Sequence, residues 1–344
     1  MAGLYIASDR RGSGRTALTA GIATLLEAQG FPVRVAKPLY LREATGPQED
    51  PDREDYRRLG LDLPGAPIAV TPQQLENGLR GPLQVRIEAS LPGGLPEGEV
   101  TILEGLPGVD PADPVARASA ELSALLDARV IVVAHFAPGF QADTLDRAHQ
   151  LFGNRLLGIV INGVSRHQAH WARTTLASQL QAQGVPVLGI IPEDRCLMGI
   201  RVRDIAQELH GELLQGEEQA DVLVEHLMLG ANVLDDSTLY FQQRAHKAVL
   251  VRGDRPDIQM GALATPTACL VLTAGKDPVQ YVQYEAEQEG VPIIRVSQPT
   301  LQAAEALNGL MARARFDHPR KLERYQELLR QHLTWEPIRR ALSG

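Results

Sequence analysis

Ile6-Ala7-Ser8-Asp9-Arg10-Arg11-Gly12-Ser13-Gly14-Arg15-Thr16 is a glycine-rich turn between a short apolar run and a helical pattern. Residues 4–7 read as a buried strand, and residues 16–29 as a helix with apolar positions at helical spacing, closed by Gly30. A loop placed there aims backbone N–H groups and the positive end of a helix at an anion. The usual phosphate-binding pattern is G-x-x-x-x-G-K-[ST], whose lysine reaches the outer phosphates and whose hydroxyl ligates magnesium. Gly12, Gly14 and Thr16 fit that pattern, but Asp9 stands at its first glycine and Arg15 at its lysine. Arginine keeps the charge and can grip phosphate with two N–H groups, yet its planar fork is a poor stand-in for a compact ammonium following a moving γ-phosphate. The loop therefore points to nucleotide binding more than to hydrolysis.

At 344 residues the chain is long for one core, which suggests two domains. Hydrophobic residues make up 44% and aromatics only 4%, so the cores are aliphatic. The net charge of −8 argues against general affinity for nucleic acid or anionic membrane. No apolar run approaches a membrane span, and the first residues lack the basic and apolar regions of a signal peptide. Cys196 and Cys269 lie far apart and form no metal-spaced set, which fits a reduced cytoplasm. His167 and His170 stand three apart on a predicted helix, with no third ligand beside them, and read as a solvated face.

Short β-branched runs recur at residues 33–36, 100–103, 130–134, 157–161 and 187–191, with helical patterns between them. Nearly uninterrupted apolar strands of this kind are covered on both faces, so the expected fold is α/β, with a parallel sheet and helices on both sides. Ligands in such sheets gather at the carboxyl ends of the strands. The residues at those ends are polar or glycine: the 8–16 loop, Lys37-Pro38, Glu104-Gly105, His135 and Asn162-Gly163. Each has a plain structural use as a cap, turn or solvated end, but together they predict one cleft.

The order of these motifs, with the acidic segment Asp50-Pro51-Asp52-Arg53-Glu54-Asp55 between the second and third, resembles dethiobiotin synthetase. Through Gly189-Ile190-Ile191-Pro192-Glu193-Asp194 and Arg201-Val202-Arg203-Asp204-Ile205-Ala206 it resembles still more the dethiobiotin-synthetase-like N-terminal region of long phosphotransacetylases. The resemblance covers residues 1–210 and implies a P-loop NTPase-like domain. It implies phosphate binding by Gly12, Ser13, Gly14, Arg15 and Thr16, and adenine reading by Asn162. Magnesium would be held by Thr16, Asp52 or Asp55, and Glu104, an oxygen set that suits a hard cation touching phosphate. Lys37 would contact substrate and phosphate and carry the catalysis if the site is active. The implied cofactors are Mg2+ and ATP or another adenine nucleotide, and the implied assembly is a homodimer.

A polar connection at 211–220 is the expected linker. Beyond it, apolar runs at 222–224, 248–251, 269–272 and 293–296 alternate with helical patterns, including residues 300–311, and predict a smaller α/β unit over 221–315. The turn Arg252-Gly253-Asp254-Arg255-Pro256-Asp257, preceded by Gly230-Ala231 and followed by Thr267-Ala268-Cys269-Leu270-Val271-Leu272-Thr273, resembles the DRTGG domain, although the full motif of that name is not present. The resemblance makes Gly253, Asp254 and Arg255 candidate ligand residues, with Asp254 a candidate helix cap or a partner of Arg255. Residues 316–344 are expected to be a helical segment packed on the second domain or a partner. Given where the sequence stops, no phosphotransacetylase catalytic domain is expected, nor acyl transfer between phosphate and coenzyme A. Three function classes follow: a nucleotide-binding regulatory or scaffold protein, an active Mg-ATP-dependent carboxylase or ligase, and a ligand-free dimeric interaction protein.

Overall fold

The structure is a computed structural model and describes residues 2–43, 46–47, 49–90, 98–137, 140, 143–230 and 237–343. Ala231, part of one DRTGG-like motif, lies outside them. The described chain divides into two compact units, residues 1–193 with 316–344, and residues 194–315.

In the first unit the elements are β1 (Ala2–Ser8), α1 (Arg15–Glu27), β2 (Val33–Ala36), β3 (Leu39–Leu41), α2 (Asp52–Arg58), β4 (Ile68–Val70), α3 (Pro82–Ser90), β5 (Val100–Pro107), α4 (Pro114–Leu125), β6 (Ala128–His135), α5 (Asp143–Phe152), β7 (Leu156–Val164), α6 (Ala169–Trp171), α7 (Ala177–Ala182) and β8 (Val187–Pro192). Six strands form one sheet in the order β2-β5-β1-β6-β7-β8, every pairing parallel. The short parallel pair β3 and β4, unread in the sequence, lies outside that sheet.

The apolar runs form these strands because both faces of the sheet are covered. In β5 every residue is buried, and in β1 Leu4, Tyr5, Ile6 and Ala7 are fully so. Gly105 lets Tyr5 approach: a Cβ there would lie 2.3 Å from its ring carbon Cζ. The Tyr5 hydroxyl accepts from the Leu106 N–H at 3.1 Å and pairs with Ser119 Oγ at 2.9 Å, so the buried phenol keeps its polar partners.

The second unit holds β9 (Ile200–Arg201), α8 (Val202–Glu208), β10 (Glu212–Gln215), β11 (Leu223–Val224), β12 (His226–Leu229), α9 (Ser237–Phe241), β13 (Lys247–Arg252), α10 (Pro256–Leu263), β14 (Thr267–Thr273), α11 (Gln280–Gln288), β15 (Ile293–Arg295) and α12 (Thr300–Ala312). Its sheet runs β10-β15-β14-β13-β12, with β12 to β15 parallel and β10 antiparallel at one edge. The expected linker at 211–220 thus contains a sheet strand. Its run Glu212-Leu213-Leu214-Gln215 carries two adjacent apolar side chains into contact with two different cores, too few to stand out among polar neighbours.

The terminal helices α13 (Pro319–His332) and α14 (Glu336–Ser343) return to the first unit, not to the second as the sequence suggested. The cause lies in α1, which is apolar nearly all round and buries the whole run from Ala17 to Ala23. A helix of that composition needs cover on its outer face as well. Gly21 provides the notch: a Cβ there would lie 2.6 Å from Leu329 and 3.1 Å from Tyr325. Gln326 Nε2 donates to Thr24 Oγ1 at 2.7 Å, and the Thr334 N–H donates to the Leu188 carbonyl at 2.7 Å, closing the outer edge of β8.

Candidate functional site

The loop between β1 and α1 is built by two left-handed glycines, Gly12 at φ 75° and Gly14 at φ 98°. Gly14 is the N-cap of α1 and also the floor under Asn162, because a Cβ there would lie 2.4 Å from Asn162 Nδ2. That amide donates to the Ser13 carbonyl at 3.0 Å, and its oxygen faces the Tyr325 hydroxyl at 3.5 Å. Asp9, at the first glycine position, ties the loop to itself: its Oδ1 accepts from Ser13 Oγ at 2.5 Å and from the His135 N–H at 3.4 Å. A carboxylate inside an anion cradle opposes phosphate, so this substitution weakens what the backbone offers.

Arg15 turns back toward the sheet. Its Nη1 donates to Ser8 Oγ at 3.3 Å, and its Nε lies 3.9 Å from Glu104 Oε1. Thr16 is the second residue of α1 and half-buried.

Lys37, Glu104 and the acidic segment meet at the carboxyl ends of β2 and β5. Lys37 Nζ lies 2.8 Å from Asp50 Oδ2, 2.5 Å from Asp52 Oδ2 and 3.1 Å from Glu104 Oε1. Burial alone would lower the pKa of this ammonium, but the Glu104, Asp52 and Asp50 carboxylates together outweigh it and hold the lysine charged. Burial raises the Asp50 pKa against the pull of Lys37. Tyr56, fully buried on α2, donates its hydroxyl to Glu104 Oε2 at 2.5 Å. Burial and then the Glu104 charge push that phenol well above its ordinary range.

Of the sequence-predicted metal residues, the structure brings Asp52 and Glu104 around Lys37, with Asp50 as the third carboxylate. Asp55 is buried on the next turn of α2 and is not among the Lys37 partners. Asp50 was missed as a site residue although an Asp-Pro-Asp start is a capping pattern. Its Oδ1 accepts from the Asp52 N–H at 3.2 Å and leaves Oδ2 to Lys37. Among the described residues no group of His, Cys, Asp and Glu is arranged to hold a metal ion. Arg11, Gly12, Arg15, Lys37, Asp52 and Gly105 line an open cleft of about 340 Å³. The cleft offers three cations, Arg11, Arg15 and Lys37, and the carboxylates of Glu43 and Asp52 to a ligand.

In the second unit, Gly253, Asp254 and Arg255 form the turn from β13 into α10. Asp254 neither caps the helix nor pairs with Arg255. Arg252 grips it with two N–H groups at 2.9 and 2.6 Å, and Arg255 does the same to Asp257 at 3.0 and 2.8 Å. These adjacent pairs leave the side chains facing solvent. The buried member is Gln259, unread in the sequence, whose Nε2 donates to the Arg252 carbonyl at 2.9 Å and the Gly253 carbonyl at 3.1 Å. Gly253 has no room for a side chain, since its Cβ would lie 2.3 Å from the Lys276 carbonyl.

No described helix is long and apolar enough to cross a membrane. Comparison with known proteins gives a match to the AAA domain family over residues 2–201 and to the DRTGG domain over residues 204–310. The chain is similar to a phosphate acetyltransferase of Deinococcus radiodurans, at 27% identity over 97% of this chain and 50% of that protein. It thus spans about half the length of that relative. Among solved structures it is similar to cobyrinic acid a,c-diamide synthase from Mycobacterium smegmatis with bound ADP and magnesium, at 17% identity over 57% of this chain and 88% of that one, with a TM-score of 0.35. It is also similar to the CBS and DRTGG domains of the regulatory region of a Clostridium perfringens pyrophosphatase complexed with diadenosine tetraphosphate, at 14% identity over 42% of this chain and 71% of that one, with a TM-score of 0.28. The sheet order, the loop ahead of α1 and a family match over more than half of its residues agree: the chain belongs to the AAA domain family in its dethiobiotin-synthetase-like P-loop form, and carries a DRTGG domain behind it.

Proposed function

We propose that this protein is an adenine-nucleotide-binding regulatory protein whose P-loop has kept its architecture and lost efficient turnover. The observation that carries the reading is the loop itself. Gly12 and Gly14 hold the phosphate-binding turn, while Asp9 and Arg15 are both tied into the protein by hydrogen bonds within the site. An arginine engaged with Ser8 does not track a transferring phosphoryl group as a free lysine does. Nucleotide phosphates would rest on residues 12–16, the base would approach Asn162, and Mg2+ would be held from Thr16, Asp52, Asp55 and Glu104. The buried oxygens Asp50 Oδ2 and Glu104 Oε1 face the Lys37 ammonium at 2.8 and 3.1 Å, so in this structure the lysine is the cation beside them. The DRTGG domain, through the Gly253-Asp254-Arg255 turn, is a second place for an adenine nucleotide.

One observation favours an active Mg-ATP-dependent ligase or carboxylase instead: Lys37 and Glu104 are retained and meet at the cleft. Calorimetry of ATP, ADP and AMP with and without Mg2+ on the full chain, with phosphate release followed on the same samples, separates the two. Binding without turnover supports the regulatory reading. Turnover lost in Lys37→Ala makes the protein an enzyme, and absence of any binding leaves a ligand-free dimeric scaffold.

A further inference from the structure

Tyr325 is fully buried on α13, where the Gly21 notch admits its ring against α1 and Phe316 meets it edge-on at 5.8 Å between ring centroids. A phenol carried into a core needs a partner for its hydroxyl. Among the described residues that partner is Asn162 Oδ1, at 3.5 Å. Burial pushes the Tyr325 pKa up, so the hydroxyl stays protonated and donates. The Ser13 carbonyl, which can only accept, takes the other end of the same amide through Nδ2 at 3.0 Å. The backbone of Asn162 is fixed as well, between β6 and β8, with its carbonyl accepting from the Phe136 N–H at 2.8 Å. A primary amide has two N–H groups and two acceptor lone pairs. Ser13 and Tyr325 take one of each, which leaves one donor and one acceptor in a set order. That order matters to a purine: adenine presents a donating amine beside an accepting ring nitrogen, whereas guanine has a carbonyl in place of the amine.

We propose that Tyr325 is a positioning residue for base recognition: by fixing the tilt of the Asn162 amide, it makes the loop site prefer adenine to guanine. Ser13 decides which end of the amide is which, and Tyr325 keeps its plane from rocking. The preference is thereby set from α13, whose sequence follows the second unit, as much as from the loop. The inference rests on the reading that a nucleotide lays its phosphates on residues 12–16 and brings its base to Asn162.

The test is calorimetry of ADP, GDP and inorganic pyrophosphate on the full chain, for the wild type, Tyr325→Phe and Asn162→Ala, with Gly14→Ala measuring what the second unit binds by itself. The expected wild-type result at the loop site is an affinity for ADP about tenfold or more above that for GDP. Tyr325→Phe is expected to shrink that ratio about threefold or more while pyrophosphate binds as before, because the change lies at the base end of the site. Asn162→Ala is expected to bring ADP and GDP together. Where Tyr325→Phe does not fold, Tyr325→Met, which also lacks the hydroxyl, takes its place with the same expected result. A wild type indifferent to the base, an unchanged ratio in the folded Tyr325 variant, or a pyrophosphate affinity that falls in step with that for ADP overturns the inference and leaves phosphate binding by the loop standing. Absence of ADP binding at the loop, or a preference that survives Asn162→Ala, overturns the nucleotide reading of these residues and the inference with it.

Discussion

The Tyr56 hydroxyl donates to Glu104 Oε2 at 2.5 Å across two fully buried side chains, fixing the carboxylate that faces both Lys37 and Arg15. Tyr56→Phe leaves that oxygen buried without its donor. The expected cost is about 1–3 kcal/mol of stability, read from urea unfolding at neutral pH. The same variant is expected to weaken the Mg2+ dependence of nucleotide binding more than binding without metal, because only the carboxylate loses its orientation.

Gly14 combines a left-handed backbone with contact to Asn162. Gly14→Ala is expected to abolish detectable nucleotide binding in calorimetry and to cost about 1–3 kcal/mol of stability from strain. Gly12→Ala shares the positive φ but has nothing within 4 Å, so it is expected to be the milder change.

Arg15→Lys restores the residue that the phosphate-loop pattern calls for. In the regulatory reading it raises phosphate release above the wild type, measured with Mg-ATP in excess. Asp9→Gly, which also removes a negative charge from the loop, is expected to tighten ADP binding.

Lys247 is buried at the start of β13, and its ammonium donates to Thr265 Oγ1 at 2.8 Å and to the Pro266 carbonyl at 2.9 Å. Burial pulls its pKa down from 10.5 to about 8. Between those values the unfolded chain holds the proton that the folded chain has released, so this group makes stability rise with pH from about 8 to 10.5 and contributes no slope below 8. Lys247→Met is expected to remove that rise, seen as a wild-type-minus-variant difference in urea midpoints across the window.

Leu329 is fully buried in the packing of α13 on α1. Leu329→Ala is expected to cost about 2–5 kcal/mol and to loosen Asn162 through its neighbour Tyr325. Thermal melts and ADP calorimetry on the same preparation check both effects.

Much of this arrangement was legible in the sequence because parallel strands covered on both faces are written as plain apolar runs. Residues 100–103 and 130–134 illustrate it, lying within β5 and β6. The loop residues and Lys37, Glu104 and Asn162 were legible for a related reason, since their place at strand ends follows once the strands are known. Asp50 was not, because its role depends on which way a capping carboxylate turns its second oxygen. The β10 edge strand and the partners of Asp254 were hidden for similar reasons: two apolar residues among polar ones do not announce a strand, and neighbouring charges do not say which pairs form. The docking of α13 could have been anticipated from α1, whose sequence leaves no polar face for solvent.

The second unit enters the chain between β8 and α13, so the first unit is completed by residues that follow the second. During synthesis the P-loop sheet must therefore wait, with the outer face of α1 and the edge of β8 uncovered, until the whole inserted domain has left the ribosome. A fragment ending near residue 210 reproduces that waiting state permanently. The inserted domain, by contrast, has a five-stranded sheet of its own that takes no strand from its host, which makes the last helices the closing step in the maturation of the first unit.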